Sequence, residues 1–228
     1  MSRNLKYNFQ VSVNQFGFSV DPDWEDADEI LCIDFFEKCC LELKSSNQSN
    51  YSMIELGSNQ AYYSLLFKHI LGVNRTLNIM IEPWIGHMER SKSQFALNNC
   101  EGIYYNNSVG GKTWGFMVDP QLASFNHEDY KGEIHLDQVL NDNGLQKIDL
   151  LHCDIDGSEE NFIKSHYDFF KNHKVHYVFM LTHGGTSHDF CKNSFSDFNY
   201  ELLYESPPCS VGSDTLLVYK RKEPALLT

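Results

Sequence analysis

Short apolar runs alternate with longer amphipathic stretches along most of the chain. The runs have the length of buried strands, and the stretches have apolar residues at helical spacing, which together predict an α/β protein. Strands are expected at 52–55, 77–83, 102–109, 147–154, 175–181, 200–204 and 215–219. Helices are expected at 23–43, from 58 to about 67, and at 84–99, 136–140 and 158–170. The pattern predicts a Rossmann-like, doubly wound, mainly parallel sheet with helices on both faces and an antiparallel C-terminal hairpin.

Two parts of the chain lack clear periodicity. Residues 7–24 alternate only weakly and predict either one or two edge strands or an irregular cap. Residues 110–131 read as a long loop, which in a compact domain is typical of a functional loop or a small hairpin. We therefore expect residues 1–50 to supply strands and a covering helix within the same domain, and residues 51–228 to form its core.

The stretch from 52 to 67 contains the first candidate for chemistry. An apolar strand ends in Glu55, Gly57 follows in a tight turn, and a helix begins at once. Glycine allows a close backbone approach, and a helix N-terminus suits a carboxylate or a phosphate. The next strand ends in Glu82, and Pro83 directly after it fixes the end of the strand. An acid at this strand end is placed to hold the hydroxyls of a ribose. The alternatives are that Gly57 forms a purely structural turn and that Glu82 is an exposed loop residue. Together, however, the two acids Glu55 and Glu82 favour a nucleoside-containing ligand.

Composition narrows the class of partner and the setting. The 228 residues carry a formal net charge of −13 without any basic cluster, which argues against nucleic acid and favours a neutral substrate. The chain has no apolar run of membrane length and no apolar signal core at its start. Its seven cysteines are odd in number and lack C-x-x-C spacing. We expect a protein of the reduced cytoplasm with no membrane partner.

Three ordered segments, 54–64, 81–83 and 149–159, resemble the FkbM-type S-adenosylmethionine-dependent methyltransferases, many of which methylate sugar hydroxyls. The Asp-x-x-Gly-x-Glu pattern of the third segment is the most specific, and the resemblance spans about residues 53–220. The chain departs from the family pattern at three places. Ala61 stands where a glycine is usual, His152-Cys153 replaces a lysine and an aliphatic residue, and Leu181-Thr182 replaces an acid before His183.

The resemblance implies S-adenosylmethionine as cofactor and a set of residues around it. It places Glu55, Gly57, Ser58 and Asn59 at the methionine part, Glu82 at the ribose, Trp84, Asn107 and Ser108 beside the adenine, and Asp154 in the same site. A tryptophan on a helix face is equally typical of a core position, so Trp84 has that alternative.

Methyl transfer to a sugar hydroxyl needs help in removing a proton with a very high pKa, and two mechanisms compete. In the first, Asp154 or His183 takes the proton directly. In the second, Asp154, Asp156, Glu159 and His183 supply ligands for Mg²⁺ or Mn²⁺, which binds the acceptor oxygen. The structural alternatives are that Asp156 belongs to a turn and that Glu159 interacts with the positive end of a helix dipole.

The acceptor is expected to be a sugar or glycan, including deoxysugars, and the chain could be one domain of a larger glycan-building protein. Three aromatic residues, Tyr62, Tyr63 and Trp114, are candidates for stacking on a sugar ring, although core positions are more usual for such residues. His188 could also reach the site. The rival functions are methylation of another small hydroxylated or amino metabolite, and a non-catalytic module that binds S-adenosylmethionine or a glycan.

Overall fold

The computed structural model describes residues 27–110, 131–207 and 215–222, and it contains an α/β sandwich built on one sheet. The strands are β1 Tyr51–Leu56, β2 Thr76–Ile81, β3 Ile103–Tyr105, β4 Ile148–Cys153, β5 Val175–Thr182, β6 Tyr200–Glu205 and β7 Thr215–Arg221. The helices are α1 Ala27–Ser45, α2 Tyr62–Leu71, α3 Ile85–Leu97, α4 Leu136–Asp142, α5 Glu159–Ser165, α6 Tyr167–Lys171 and α7 Gly185–Asp197, with a 3-10 turn at Val73–Arg75.

The sheet confirms the predicted Rossmann-like topology. Its seven strands lie in the order β3-β2-β1-β4-β5-β7-β6. The pairs among β1 to β5 are parallel, whereas β7 runs antiparallel to both β5 and β6. The parallel order explains the continuous apolar runs of the central strands, because a sheet covered on both faces buries every side chain.

Helices cover the two faces of the sheet in the order of the chain. One apolar cluster joins side chains of α1, α2 and α3 to the sheet, and the other joins α4 to α7 to the opposite face. On the first face, the ring of Phe36 in α1 packs 5.1 Å from Tyr63 and 5.2 Å from Phe179, measured between ring centroids. Helix α1 is thus part of the same core as the strands that follow it.

Two predicted elements differ from the structure, and one helix of the structure was not predicted. The single helix expected at 158–170 is two helices, because the backbone turns at His166 and its Nε2 accepts a hydrogen bond from the Leu136 amide at 3.0 Å. The strand expected at 102–109 is shorter and ends at Tyr105. Helix α7 was not predicted, since Gly184 and Gly185 indicate a turn there.

Other expectations lie outside the described residues. They are the edge strands at 7–24 and the loop at 110–131, of which the structure describes only Gly110 and Lys131. Among the helices that the structure describes, none combines the length and the apolar character needed to cross a bilayer.

Candidate active site

The candidate site lies where the direction of the sheet order reverses. The chain moves outward from β1 to β2 and β3, then returns to β4 beside β1, with Leu56 opposite Cys153. In such sheets the carboxyl ends of the two strands border an open crevice, where ligands bind. The residues that follow these strands, Gly57 and Asp154, are held together by the bond from the Asp154 amide to the Leu56 carbonyl at 3.1 Å.

Gly57 is required by the packing of these two strand ends. Its φ is +70°, and a Cβ added there would lie 1.8 Å from the carbonyl oxygen of Asp154. Its amide donates to the Ile81 carbonyl at 3.0 Å, which fastens the turn to β2. The tight turn is therefore as expected, but the close neighbour that excludes a side chain is the protein's own backbone.

Glu55 supports helix α2 from inside the fold. Only 2% of the residue is exposed, and its Oε2 accepts a hydrogen bond from the Ser64 amide at 3.1 Å. The helix lacks a side-chain cap at Ala61, so Glu55 satisfies one of its free amides. Burial raises the pKa of Glu55 to about 8, although hydrogen bonds from Ser64 and Tyr63 oppose that shift.

The loop between β1 and α2 is held by a residue that the sequence did not single out. Ser91, on α3 and fully buried, donates through Oγ to the Asn59 carbonyl at 2.9 Å and lies 3.0 Å from the Ser58 hydroxyl. The loop needs such support because Asn59 and Ala61 both have positive φ, at 43° and 56°. Nothing in the sequence near Ser91 marks it, since its partners lie about thirty residues earlier.

Glu82 joins the two loops that would contact the cofactor. Its Oε2 accepts from the Asn59 amide at 3.2 Å, and its Oε1 accepts from the Trp84 amide at 2.9 Å. Nδ1 of His87 lies 3.7 Å from Oε2. A carboxylate oxygen has two lone pairs, so each oxygen can accept one further bond from a ribose hydroxyl.

The end of β3 offers one acceptor that the sequence analysis missed. Asn106 is buried, and its Nδ2 donates to the carbonyls of Glu82 and Pro83 at 2.9 and 3.1 Å. Its Oδ1 is also buried and has no hydrogen-bond partner among the described residues. The sequence analysis named the neighbouring residues 107 and 108 at this strand end instead.

The three residues expected beside the adenine differ in their contacts. Asn107 and Ser108 are buried and tie the loop to Gly132, whose carbonyl accepts from Asn107 Nδ2 and from the Ser108 amide, both at 3.1 Å. Trp84 is half-buried at the start of α3, and its ring centroid lies 3.8 Å from that of His87.

An acid and histidine cluster lies at the ends of β4 and β5. His183 Nε2 is 3.5 Å from Asp154 Oδ1 and 3.7 Å from Asp156 Oδ1. Asp156 has a φ of 50° and a side chain that is 92% exposed, whereas the side chain of Asp154 is 40% exposed. Three atoms that accept protons or cations thus converge on one open position.

Three of the four predicted metal ligands come together in this cluster. One ligand atom from each of Asp154, Asp156 and His183 lies within 4.8 Å of the others. The two carboxylate oxygens suit Mg²⁺ or Mn²⁺, whereas the imidazole nitrogen is a ligand typical of Zn²⁺ or Fe²⁺. The fourth, Glu159, has a fully buried side chain behind His183. Its Oε1 lies 2.8 Å from His183 Nδ1 and accepts from the Gly157 amide at 3.0 Å, while Oε2 accepts from the Ser187 hydroxyl at 3.1 Å.

Two further candidates make contacts inside the protein. His188 lies on α7, with Nε2 2.9 Å from Glu205 Oε1 and Nδ1 3.3 Å from the Thr182 hydroxyl. The ring of Tyr63 stacks on His152 at 4.0 Å and its hydroxyl donates to the Cys32 sulfur. Tyr62 is half-buried, and Trp114 lies outside the described residues.

Solved structures of methyltransferases share the fold at low identity. M. capricolum TrmK bound to S-adenosyl-homocysteine matches with 8% identity and a TM-score of 0.51, covering 81% of this chain and 68% of that one. The human methyltransferase 10 domain containing protein matches with 13% identity and a TM-score of 0.55, covering 85% and 82%. The N-terminal domain of human METTL16 in complex with SAH matches with 13% identity and a TM-score of 0.51, covering 86% and 71%. At such identities the likeness establishes the fold.

The sequence matches one family directly. Residues 52–202 match the family described as the methyltransferase FkbM domain, which is well over half of the chain. No curated protein sequence matches the chain. The matched range contains the crevice, both loops joined by Glu82, and the cluster around His183. The chain belongs to the FkbM methyltransferase domain family and is an S-adenosylmethionine-dependent methyltransferase.

Proposed function

We propose that this protein transfers the methyl group of S-adenosylmethionine to a hydroxyl of a sugar or glycan. The observation that carries the proposal is the convergence of Asp154, Asp156 and His183 on one open position beside the cofactor crevice. A hydroxyl is a weak nucleophile at neutral pH, so its methylation requires groups that accept its proton or a cation that polarises it. The cluster offers either.

The fit of the cofactor rests on the two joined loops and on the end of β3. We assign the methionine part to the loop containing Gly57, Ser58 and Asn59, with Glu55 supporting the helix that follows it. We assign the ribose hydroxyls to Glu82, and the adenine to Trp84 and to the end of β3, where Asn107 and Ser108 lie. The cofactor supplies a sulfonium methyl group that is open to in-line attack, and the chain's task is to orient the acceptor oxygen toward it.

Two routes for the acceptor proton remain in competition. In the first, His183 Nε2 or Asp154 accepts the proton as the new bond to carbon forms. In the second, Asp154, Asp156 and His183 would hold Mg²⁺ or Mn²⁺, which would supply the positive charge that lowers the pKa of the hydroxyl. Both routes bring the acceptor hydroxyl to this cluster, because the residues of each route belong to it.

The acidity of the chain supports a neutral acceptor. A formal net charge of −13 repels polyanions, so nucleic acid is not part of this proposal. The half-buried ring of Tyr62, at the start of α2, is proposed as an apolar border for a sugar ring. Cytoplasmic action is also proposed, since the six cysteines of the described residues are buried thiols.

The test combines calorimetry with an acceptor screen. S-adenosylmethionine is titrated into the protein, and the protein is then incubated with deuterium-labelled cofactor and a panel of sugars, deoxysugars and glycans. Labelled product carrying an O-methyl group supports the proposal, and loss of turnover in chelator with recovery in Mg²⁺ or Mn²⁺ selects the cation route. Cofactor binding without transfer to any sugar contradicts it.

Two rival functions predict different results in the same experiment. A methyltransferase of another small metabolite would label hydroxylated or amino compounds and leave every sugar unlabelled. A module that only binds would release heat with the cofactor or a glycan and yield no labelled product. The intact proton-accepting cluster favours catalysis over the second rival, because binding alone has no need of it.

A further inference from the structure

The least exposed charged group near the cluster has no contact with the open position. Glu159 has a fully buried side chain, yet its carboxylate makes three hydrogen bonds to three separate parts of the fold. The Gly157 amide in the turn after β4 and the Ser187 hydroxyl in the first turn of α7 donate to it, and the third bond joins it to His183 at the end of β5. Burying a carboxylate is costly unless such partners are present.

The bonds identify the charge state of this carboxylate. The Gly157 amide donates to one oxygen of Glu159 and the Ser187 hydroxyl to the other, and a carboxyl group that receives donors on both oxygens is stabilised in its ionised form. An ionised carboxylate can only accept hydrogen bonds. Nδ1 of His183, 2.8 Å away, must therefore carry the proton.

We propose that Glu159 is a positioning residue that fixes His183 in the tautomer with its proton on Nδ1, so that the lone pair of Nε2 faces Asp154, Asp156 and the acceptor. A carboxylate behind a histidine sets the ring orientation and the tautomer in the same manner at metal sites and in catalytic triads. Ser187 holds the second oxygen, which prevents the carboxylate from rotating away from the ring.

Glu159 also fixes the separation between the turn that carries Asp156 and the strand end that carries His183. Its Oε1 receives the Gly157 amide, so it anchors the turn in which Asp156 adopts a φ of 50°. It therefore connects the turn that carries Asp156 to the strand end that carries His183. Both routes for the acceptor proton require this arrangement, because a base and a metal ligand each need an unprotonated Nε2.

The inference depends on the proposed function only for its kinetic effect, and the tautomer can be measured without turnover. The ring nitrogens of 15N-labelled protein are observed by NMR at an alkaline pH where imidazoles are neutral. The signals of His183 are assigned from their loss in His183→Gln. We expect wild-type protein to show protonated Nδ1 and unprotonated Nε2.

The variants Glu159→Ala and Glu159→Gln test the cause. Without an acceptor at Nδ1, Glu159→Ala should move His183 largely to the form protonated on Nε2 and lower kcat about 10- to 100-fold, with unchanged affinity for S-adenosylmethionine. Glu159→Gln, which keeps the size and one acceptor oxygen, should give an intermediate effect. The matched control is Glu160→Ala, because Glu160 is the adjacent acid and pairs with Lys164 at the surface.

Two results would overturn the inference: a wild-type His183 that carries its proton on Nε2, or a tautomer that stays unchanged in both Glu159 variants. If Glu159→Ala fails to fold, Glu159→Gln alone decides. If wild-type protein methylates no acceptor, the proposed function fails while the NMR result still decides the role of Glu159.

Discussion

Replacing Ser91 by alanine tests whether α3 holds the cofactor loop in its binding conformation. The substitution removes two hydrogen bonds, one to the Asn59 carbonyl and one shared with the Ser58 hydroxyl. Each such bond contributes on the order of 1 kcal/mol, so the variant should lose about 2 kcal/mol of unfolding free energy. Asn59 and Ala61 would then be free to leave their left-handed conformations, which cost about 1 kcal/mol or more each.

The loosened loop should also bind the cofactor more weakly. Because the cofactor must then restore the loop conformation, its Kd should rise by about tenfold, which corresponds to about 1.4 kcal/mol. Urea unfolding measures the first effect, and calorimetric titration with S-adenosylmethionine measures the second. The matched control is Ser93→Ala on the same helix, where the exposed hydroxyl bonds only to the Glu89 carbonyl. If Ser91→Ala matches this control in both stability and Kd, then α3 does not organise the loop.

Three further predictions address the other parts of the site. Asp154→Asn should lower kcat about 100-fold or more with little change in cofactor Kd, measured by labelled transfer and calorimetry, and wild-type turnover would exclude Asp154 from proton removal. Glu82→Ala should raise the cofactor Kd about tenfold or more, because the ribose contact and the bond to Asn59 are both lost, and unchanged affinity would exclude the ribose role. The wild-type protein should become less stable to urea as the pH rises from 6.5 to 8, and Glu55→Gln should abolish this decrease. The folded pKa of Glu55 is about 8, above its unfolded value, so its stabilisation is present at low pH and declines toward pH 8. His152 opposes this trend only below pH 6.5, because burial lowers its pKa from 6.5 to about 3. If the stability of both proteins depends on pH in the same way, the Glu55 prediction is wrong.

The order of strands and helices could be predicted from the sequence because each element has a local pattern of apolar and polar residues. Strands β1, β2, β4 and β5 are buried on both faces, so each appears in the sequence as an apolar run bounded by polar residues. Helix α7 escaped prediction because its buried residues are few, namely Ser187, Cys191 and Phe195, and because it starts with glycine. The break between α5 and α6 lies at His166, whose ring accepts a hydrogen bond from the Leu136 amide, thirty residues away in the chain.

The sequence by itself determined which residues would stand at the carboxyl edge of the sheet. Strand ends are local features, so Glu55, Gly57, Glu82, Asp154 and His183 could be placed there from the apolar runs before them. Parallel strands bring such ends to one edge, which made their proximity predictable as well. The resemblance to the family then supplied the chemistry that this edge performs.

Only the tertiary structure decided what each of these side chains contacts. Glu159 bonds to His183 across 24 residues, and Ser91 bonds to Asn59 across 32 residues, so neither role has a local pattern. The contacts of Asn106 likewise depend on another loop, because its amide nitrogen donates to the carbonyls of Glu82 and Pro83. Hydrogen bonds between distant segments depend on the packing of helices on the sheet, and that packing is a property of the whole fold.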